Sequence, residues 1–388
     1  MRLLVFFPGV IRGGCEEHAF VIIRAAVRGG DEVVACFPQT PGTRSLTDDI
    51  REAGASVLPW PLGAIVDGRM NLGSAQRQEG LAGPVLDTVN PDAILLFLPE
   101  PDSSMGFLTA CADRGLPTVP VFCLVPPEWP VSEEDRRRGA RARRARQRWV
   151  AISQDNRRHL ATAFRIGAAD EVDCVLNGVD LPRDWQEPDS GTVAAVRRAV
   201  REELVMPPTA RIALTVARLA APKGHADLLA AISELPAAAD DVRFVWAGEG
   251  GEDERLLSLI ERAGLDGRVH LLGHRQDVAR LLHAADLFVF PTHWEGCSRA
   301  LIEAMSAGLP IVASDASSNP ELLDGGRLGL LFPARDRTAL AERMSQALSE
   351  PDEMAAMAAK ARSKARRELT EAAMCEGTLA VVDKIVRR

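Results

Sequence analysis

Short apolar runs of strand length, each followed by a helical pattern, recur along the whole chain, and this alternation restricts the fold more than any other feature. In the first half the runs are RLLVFF (2–7), DEVVACF (31–37), ASVLPW (55–60), DAILLFL (92–98), TVPVFCLV (118–125) and RWVAIS (148–153). Continuous apolar runs suit strands buried on both faces, and the intervening helices supply the cover, so stacked β-α-β units with a parallel sheet are predicted. Stretches such as EEHAFVIIRAAVRGG and SMGFLTACADRG are the covering helices. The second half repeats the rhythm with RIALTVARL, VRFVWAG, VHLLGH, LFVFPT, LPIVASD and GLLFP. A chain of 388 residues, 46% of them hydrophobic, exceeds one ordinary core, so two α/β, doubly wound domains are expected.

Between the halves, NGVDLPRDWQEPDSGT (177–192) is rich in Pro, Gly, Asp and Asn and has no periodicity that would bury it. The expected layout is a Rossmann-like domain at 1–180, a hinge linker at 181–192, a second Rossmann-like domain at 193–365 and a helix at 366–388 that crosses back to the first domain. A helix is expected from about Asp336, and the Ala-, Arg- and Lys-rich stretch after it favours two or three C-terminal helices. Open α/β sheets bind ligands beyond the carboxyl ends of their strands. Two such sheets facing each other would hold ligands in an inter-domain cleft, on loops that follow strands.

A net charge of -8 argues against a general nucleic-acid or membrane-surface binder, so any anion site must be local. Seven scattered cysteines without a Cys-x-x-Cys pair suggest reduced thiols and a cytoplasmic setting. The N-terminal MRLLVFFPGVIRGGC is expected to be a buried first strand, because Arg12 precedes Cys15 too closely for a lipoprotein signal and no small-residue cleavage site follows the apolar run. No stretch approaches the ~18 uninterrupted apolar residues that a membrane span needs.

Several stretches at strand ends carry charge. In VARLAAPKGH, Arg218 ends one strand and Lys223 stands just before a helix beginning near His225. Either this is a salt-bridged arginine with a solvated lysine, or the two cations clamp a diphosphate. At an effective dielectric of ~20, one contact between unit charges about 4 Å apart is worth roughly 4 kcal/mol, so two could stabilise a leaving group without metal. A metal-dependent alternative needs an Asp-x-Asp pair at a strand end, and neither Glu171-Val-Asp173 nor Glu252-Asp253-Glu254 follows a good strand. No P-loop is present. WAGEGGED begins like a dinucleotide fingerprint, but Asp253 stands where its last glycine belongs.

The segment FVFPTHWEGCSRALIEAMSAGLPIVASD holds Glu295 on a loop and Glu303 on the helix after it. At 100° per residue Leu301, Ile302 and Met305 form one stripe, and Glu303 points about 150° from its centre. Ser298 is a plausible N-cap, which would leave the amides of Arg299, Ala300 and Leu301 as an anion site. A carboxylate on the helix can accept both hydroxyls of a ribose, and one on the loop can hold sugar hydroxyls or balance developing positive charge. His293 either serves the chemistry or is a satisfied structural residue.

PTHWEGCSRALIEAMSAGLPIVASD...NPELL resembles the Glu-x7-Glu signature of retaining GT-B glycosyltransferases of family 4, whose common form is similar to PSxxEGFGxxxLEAMAxGxPVVAxxxGGxPE. The resemblance continues, in order, through Gly13, Gly14, Glu16 and Glu17, VAIS ending at Ser153, NGVD at 177–180, VARLAAPKG and WAGEG. It implies a GT-B fold and a metal-independent enzyme that uses no cofactor and moves a sugar, with retention, from a nucleoside-diphosphate-sugar donor to an acceptor hydroxyl. Arg218 and Lys223 match the family's diphosphate clamp, Glu303 its ribose ligand and Glu295 its contact to the donor sugar. Gly14 matches a glycine loop that lets backbone approach the phosphate, and Gly248, Glu249 and Gly250 match a turn near the nucleotide. The acceptor would be a sugar, a lipid-linked glycan or a small natural product. A nucleotide-sugar-binding partner without turnover, or a GT-B nucleotide-sugar epimerase, would carry the same donor motifs.

Many relatives carry a histidine on an N-domain loop near the acceptor, whereas this chain has none between His18 and His159. CLVPPEWP and LPEPDSSMG occupy the corresponding loops, with Glu100, Asp102, Glu128 and Trp129 as substitute contacts. Eight arginines crowd the segment from Arg136 to Arg148. They predict a solvated, salt-bridged helix, the alternative being a peripheral membrane contact or a dock for a phosphorylated acceptor.

Overall fold

The computed structural model describes residues 1–66, 69–168 and 171–387. The chain forms two compact units, one made of Met1–Asn177 with Glu371–Arg388, the other of Gly178–Thr370. Arg388, the last residue of the expected C-terminal helix, lies outside the described residues.

The first unit is built on a seven-stranded sheet. Its strands are β1 (Arg2–Phe6), β2 (Glu32–Phe37), β3 (Ser56–Pro59), β6 (Ala93–Leu98), β7 (Thr118–Phe122), β8 (Val150–Ala151) and β9 (Asp173–Cys174); β4 (Ala64–Val66) and β5 (Arg69–Asn71) form a separate antiparallel pair. The order is β3-β2-β1-β6-β7-β8-β9, and every neighbouring pair in it is parallel. All six residues of β6 are buried, as its unbroken apolar sequence requires of a strand covered on both faces. Expected strand 148–153 contributes only the two residues of β8, because the chain passes at Ser153 into the N-cap of the helix Gln154–Ala163.

The closing helix Glu371–Val386 packs in this unit against the helix Gly14–Arg28. Arg24 pairs with Glu371, Cys375 Sγ approaches Val21 O at 3.8 Å, and Arg146 donates to Ile385 O at 2.9 Å. Arg146 therefore neutralises carbonyls at that helix's end, where the backbone dipole is negative.

The second unit holds β10 (Arg211–Val216), β11 (Val242–Ala247), β12 (Val269–Leu271), β13 (Leu287–Phe290), β14 (Ile311–Ser314) and β15 (Leu330–Phe332). Their order is β12-β11-β10-β13-β14-β15, again all parallel. Thus each apolar run of the sequence is a strand of one of two doubly wound sheets, the GT-B arrangement of elements. The order reverses beside β10: β11 lies on one side and β13 on the other. Such a reversal leaves a crevice at the carboxyl ends of the two diverging strands, and ligands of open α/β sheets bind there.

The segment expected as a hinge, 181–192, falls inside this unit. Pro182 and Asp189 stand at the N-caps of the helices Arg183–Gln186 and Ser190–Glu203. Asp189 Oδ1 accepts the amides of Gly191 and Thr192 at 2.8 and 2.9 Å, so residues that read as loop formers serve as helix starters. The helix Ser190–Glu203 is anchored by Arg201, 5% exposed, which donates to Asp286 Oδ2 at 2.8 Å and to Ala210 O at 2.8 Å. After the helix Arg337–Ser349, the helix Pro351–Glu368 stays in this unit, and the return to the first comes at Glu371.

Candidate functional site

Three loops at the carboxyl ends of β10, β11 and β13 come together in the second unit. The loop after β10 carries Arg218, turns through Ala221–Lys223, and enters the helix His225–Ser233 through Gly224 at φ 73°. Only glycine suits this position: a Cβ there would lie 2.0 Å from Pro291 O, so the loops after β10 and β13 touch backbone to backbone. His293 N donates to Pro222 O at 2.8 Å and closes the same contact.

That approach sets Lys223 against Glu295. Lys223 Nζ pairs with Glu295 Oε1, and the two side chains are 15% and 16% exposed. Thr292 Oγ1 reaches the same carboxylate oxygen at 3.4 Å, and Ser317 Oγ accepts the Glu295 amide at 2.9 Å. Arg218 is exposed and has no ion pair among the described residues. The bland alternative for these two cations is therefore reversed: the lysine is the salt-bridged one and the arginine the solvated one.

The turn after β11 rests on the Arg218 loop. Leu219 N donates to Glu249 O at 3.0 Å, and Glu252 N donates to Leu219 O at 3.0 Å. Gly248, at φ 150°, would place a Cβ 1.9 Å from Ala217 O, and Gly250 would place one 2.2 Å from Leu219 O. Side chains are excluded at both positions by neighbouring backbone. Asp253, which broke the dinucleotide pattern, accepts the Gly250 amide at 3.0 Å and so fixes the turn. Glu249 is exposed.

The helix Arg299–Ala307 begins after the Glu295 loop, with Ser298 as N-cap. Ser298 Oγ accepts the Leu301 amide at 3.3 Å, so of the three amides expected at this tip Leu301 is already satisfied and those of Arg299 and Ala300 remain for an anion. Leu301, Ile302 and Met305 are buried, and Glu303 is half-buried on the same helix. Gly308 at φ 77° ends it.

His293 is held by a carboxylate. Its Nε2 meets Asp227 Oδ2 at 2.7 Å, and Arg337 Nε donates to Asp227 Oδ1 at 2.9 Å, so the carboxylate is shared between a ring and a guanidinium. His225 is 3% exposed, lies edge-on to Trp246 and is pushed down to about 4 by burial and then by the Lys223 charge. A neutral imidazole beneath the lysine leaves that charge for the site.

Gly14 lies in the first unit, in the first turn of the helix Gly14–Arg28. A Cβ there would meet nothing within 4 Å, so the backbone at this helix start is uncovered. Glu16 is the capping partner: its carboxylate accepts the Gly13 amide at 3.1 Å and fills the space beside Gly9, where a Cβ would sit 1.7 Å from Oε1. The loops after β6 and β7 are joined by Trp129, whose indole donates to Asp102 Oδ1 at 3.1 Å. Burial raises Asp102, and it raises Glu100 with a further push from the Asp102 charge.

The arginine-rich segment is a helix, Glu133–Arg143, whose charges are largely matched within the unit. Arg138 pairs with Glu79 and Glu134, Arg141 with Asp113, Arg143 with Glu171, Arg148 with Asp173, and Arg136 donates to Ala163 O at 2.9 Å. This is the salt-bridged helix of the first reading. No helix among the described residues is long and apolar enough to cross a membrane.

Comparison with known proteins gives this geometry a class. Residues 196–364 match the family model for glycosyl transferases group 1, so the second unit carries a domain of that kind. The chain is 31% identical to the putative colanic acid biosynthesis glycosyltransferase WcaL of Salmonella typhimurium over 170 residues, 42% of this chain and 42% of that protein. It is 27% identical to the lipopolysaccharide core biosynthesis mannosyltransferase LpsB of Rhizobium meliloti over 238 residues, 59% of this chain and 66% of that protein. The match thus spans about two fifths of the first of these relatives and about two thirds of the second. Among solved structures, Anabaena HepE in complex with UDP superposes with a TM-score of 0.81, covering 99% of this chain and 100% of that one at 20% identity. The fold is accordingly GT-B.

Ser317, Thr292 and Asp227 were not singled out from the sequence. The signal for Ser317 was present: Ser317-Ser318 stand where the resembled motif has Gly-Gly.

Proposed function

We propose that the chain is a retaining, metal-independent glycosyltransferase that moves a sugar from a nucleoside-diphosphate-sugar donor to an acceptor hydroxyl. The observation that carries this reading is the pairing across the β10/β13 reversal, with Arg218 and Lys223 on one loop and Glu295 and the amides of Arg299 and Ala300 on the other. In this reading Arg218, Lys223 and the helix tip neutralise the departing diphosphate. Glu303 accepts the ribose hydroxyls, and Glu295 orients the sugar and balances charge as the anomeric bond breaks. Such a site works through positioning and preset charge. The UDP complex of HepE supports a nucleoside diphosphate as the leaving group.

A thermal-shift panel of UDP, GDP, ADP and TDP sugars tests the reading, since a ligand at 100 times its Kd stabilises a fold by roughly 2.7 kcal/mol. One base should stand out, and that donor should then release its nucleoside diphosphate when acceptors are added. Binding without release or hydrolysis would mark a non-catalytic partner, release of an isomerised nucleotide sugar an epimerase, and no binding at all would end the proposal.

A further inference from the structure

Glycine is the residue that the backbone at position 317 calls for, yet the chain has serine. Ser317 sits at φ 52°, in the left-handed region that side chains other than glycine adopt at a cost. Its neighbours are also costly. Ser318 and Asn319 are fully buried, and Ser318 Oγ and Asn319 Oδ1 have no hydrogen-bond partner. Unfavourable backbone and unpaired polar atoms persist in one short loop only when the surrounding structure holds them, and function is the commonest reason.

What the loop holds is the segment that carries Glu295. Ser317 Oγ accepts the Glu295 amide at 2.9 Å, and Ser314 Oγ donates to Thr292 O at 2.5 Å. Asn319 Nδ2 in turn donates to Ser314 O at 3.1 Å. The loop after β14 is therefore stitched to the loop after β13 at two points, one on each side of His293 and Trp294. Lys223 fixes the carboxylate end of Glu295, and Ser317 fixes its backbone end.

We propose that Ser317 is a positioning residue for Glu295: its hydroxyl sets where the carboxylate stands relative to the donor sugar. The inference rests on the transferase reading above. Lys223 must leave or share Glu295 when a diphosphate arrives, and at that moment the side-chain anchor is weakened. The hydrogen bond from the Glu295 amide to Ser317 Oγ is then what keeps Glu295 in place.

The test uses the full chain and two variants with opposite effects on the backbone. Ser317→Gly removes the hydroxyl and relieves the left-handed strain, so its melting temperature should equal or exceed that of the parent. Ser317→Ala removes the hydroxyl and keeps the strain, so its melting temperature should not rise. Both should lose roughly tenfold to a hundredfold in kcat, the scale of a misplacement near 1 Å. Both should bind the nucleoside diphosphate within about twofold of the parent, because the groups proposed to hold it, Arg218, Lys223, the helix tip and Glu303, are left in place. Parent-like kcat in either variant overturns the inference while leaving the transferase reading intact, as does a kcat loss accompanied by an equal loss of diphosphate affinity. Failure of the parent chain to consume any donor overturns the transferase reading and this inference with it.

Discussion

Replacing Glu295 by glutamine should separate binding from turnover. The Lys223 charge is engaged by Glu295, with both side chains about five-sixths buried. A diphosphate arriving beside Lys223 meets that carboxylate as a like charge. A unit charge about 6 Å from a phosphate oxygen opposes it by roughly 3 kcal/mol at an effective dielectric of ~20, and by about 1 kcal/mol once water and salt screen the exposed side. Glu295→Gln should therefore bind the free nucleoside diphosphate about fivefold to tenfold more tightly. The same change removes the group proposed to balance charge in the transition state, so transfer should fall by about 10²-fold or more. Loss of the ion pair should cost the fold about 3 kcal/mol, since it leaves the Lys223 charge largely buried without its partner. Titration calorimetry with the diphosphate, beside steady-state release of nucleotide from the donor, reads both effects. Weaker diphosphate binding, or near-normal turnover, would contradict this role of Glu295.

Three further outcomes follow from the geometry. Gly248→Ala must move either its own loop or the Ala217 carbonyl, which lies 1.9 Å from the added Cβ, and should lower the urea midpoint by the equivalent of about 2–4 kcal/mol; an unchanged midpoint would show that the turn is not packed as described. His225, held at about 4 against an ordinary 6.5, binds its proton more weakly folded than unfolded. Its share of stability is therefore complete above about pH 6.5 and is lost as pH falls toward 4, by at most about 3 kcal/mol; urea titrations of His225→Leu should show a shallower acid loss than the parent, and equal slopes would contradict this. Vesicles rich in anionic lipid should not sediment the chain through the helix Glu133–Arg143, where Arg138, Arg141 and Arg143 are matched within the protein; binding that falls with salt and disappears in an Arg137→Gln, Arg144→Gln double variant would contradict it.

The fold was legible because its strands are continuous apolar runs, and such runs survive inspection without knowledge of their neighbours. What the runs do not carry is strand order. Lys223 and Glu295 are 72 residues apart, and they meet because β13 lies beside β10 while β11 and β12 occupy the other side. The helix Ser190–Glu203 was missed for a different reason: Pro182 and Asp189 favour loops and helix starts alike, and the deciding partner of Arg201, Asp286, stands 85 residues away. The pair β4 and β5 is three residues per strand, too short for a period to register. At the site, the charged residues were readable from their positions at strand ends. Ser317 stood out only as a serine in place of a motif glycine, and its role was not readable, because a hydroxyl on a loop has no pattern until its backbone angle and its partner are seen.

In the proposed mechanism, the crevice beside β10 receives a diphosphate between the Arg218–Lys223 loop and the tip of the helix Arg299–Ala307. A crystal structure of the chain with its nucleoside diphosphate measures this directly. Phosphate oxygens are expected within hydrogen-bonding distance of Arg218, Lys223 and the amides of Arg299 and Ala300, with the ribose on Glu303 and Lys223 turned from Glu295. Phosphates bound at any other strand ends, or Lys223 still closed on Glu295 with the nucleotide in place, would contradict it.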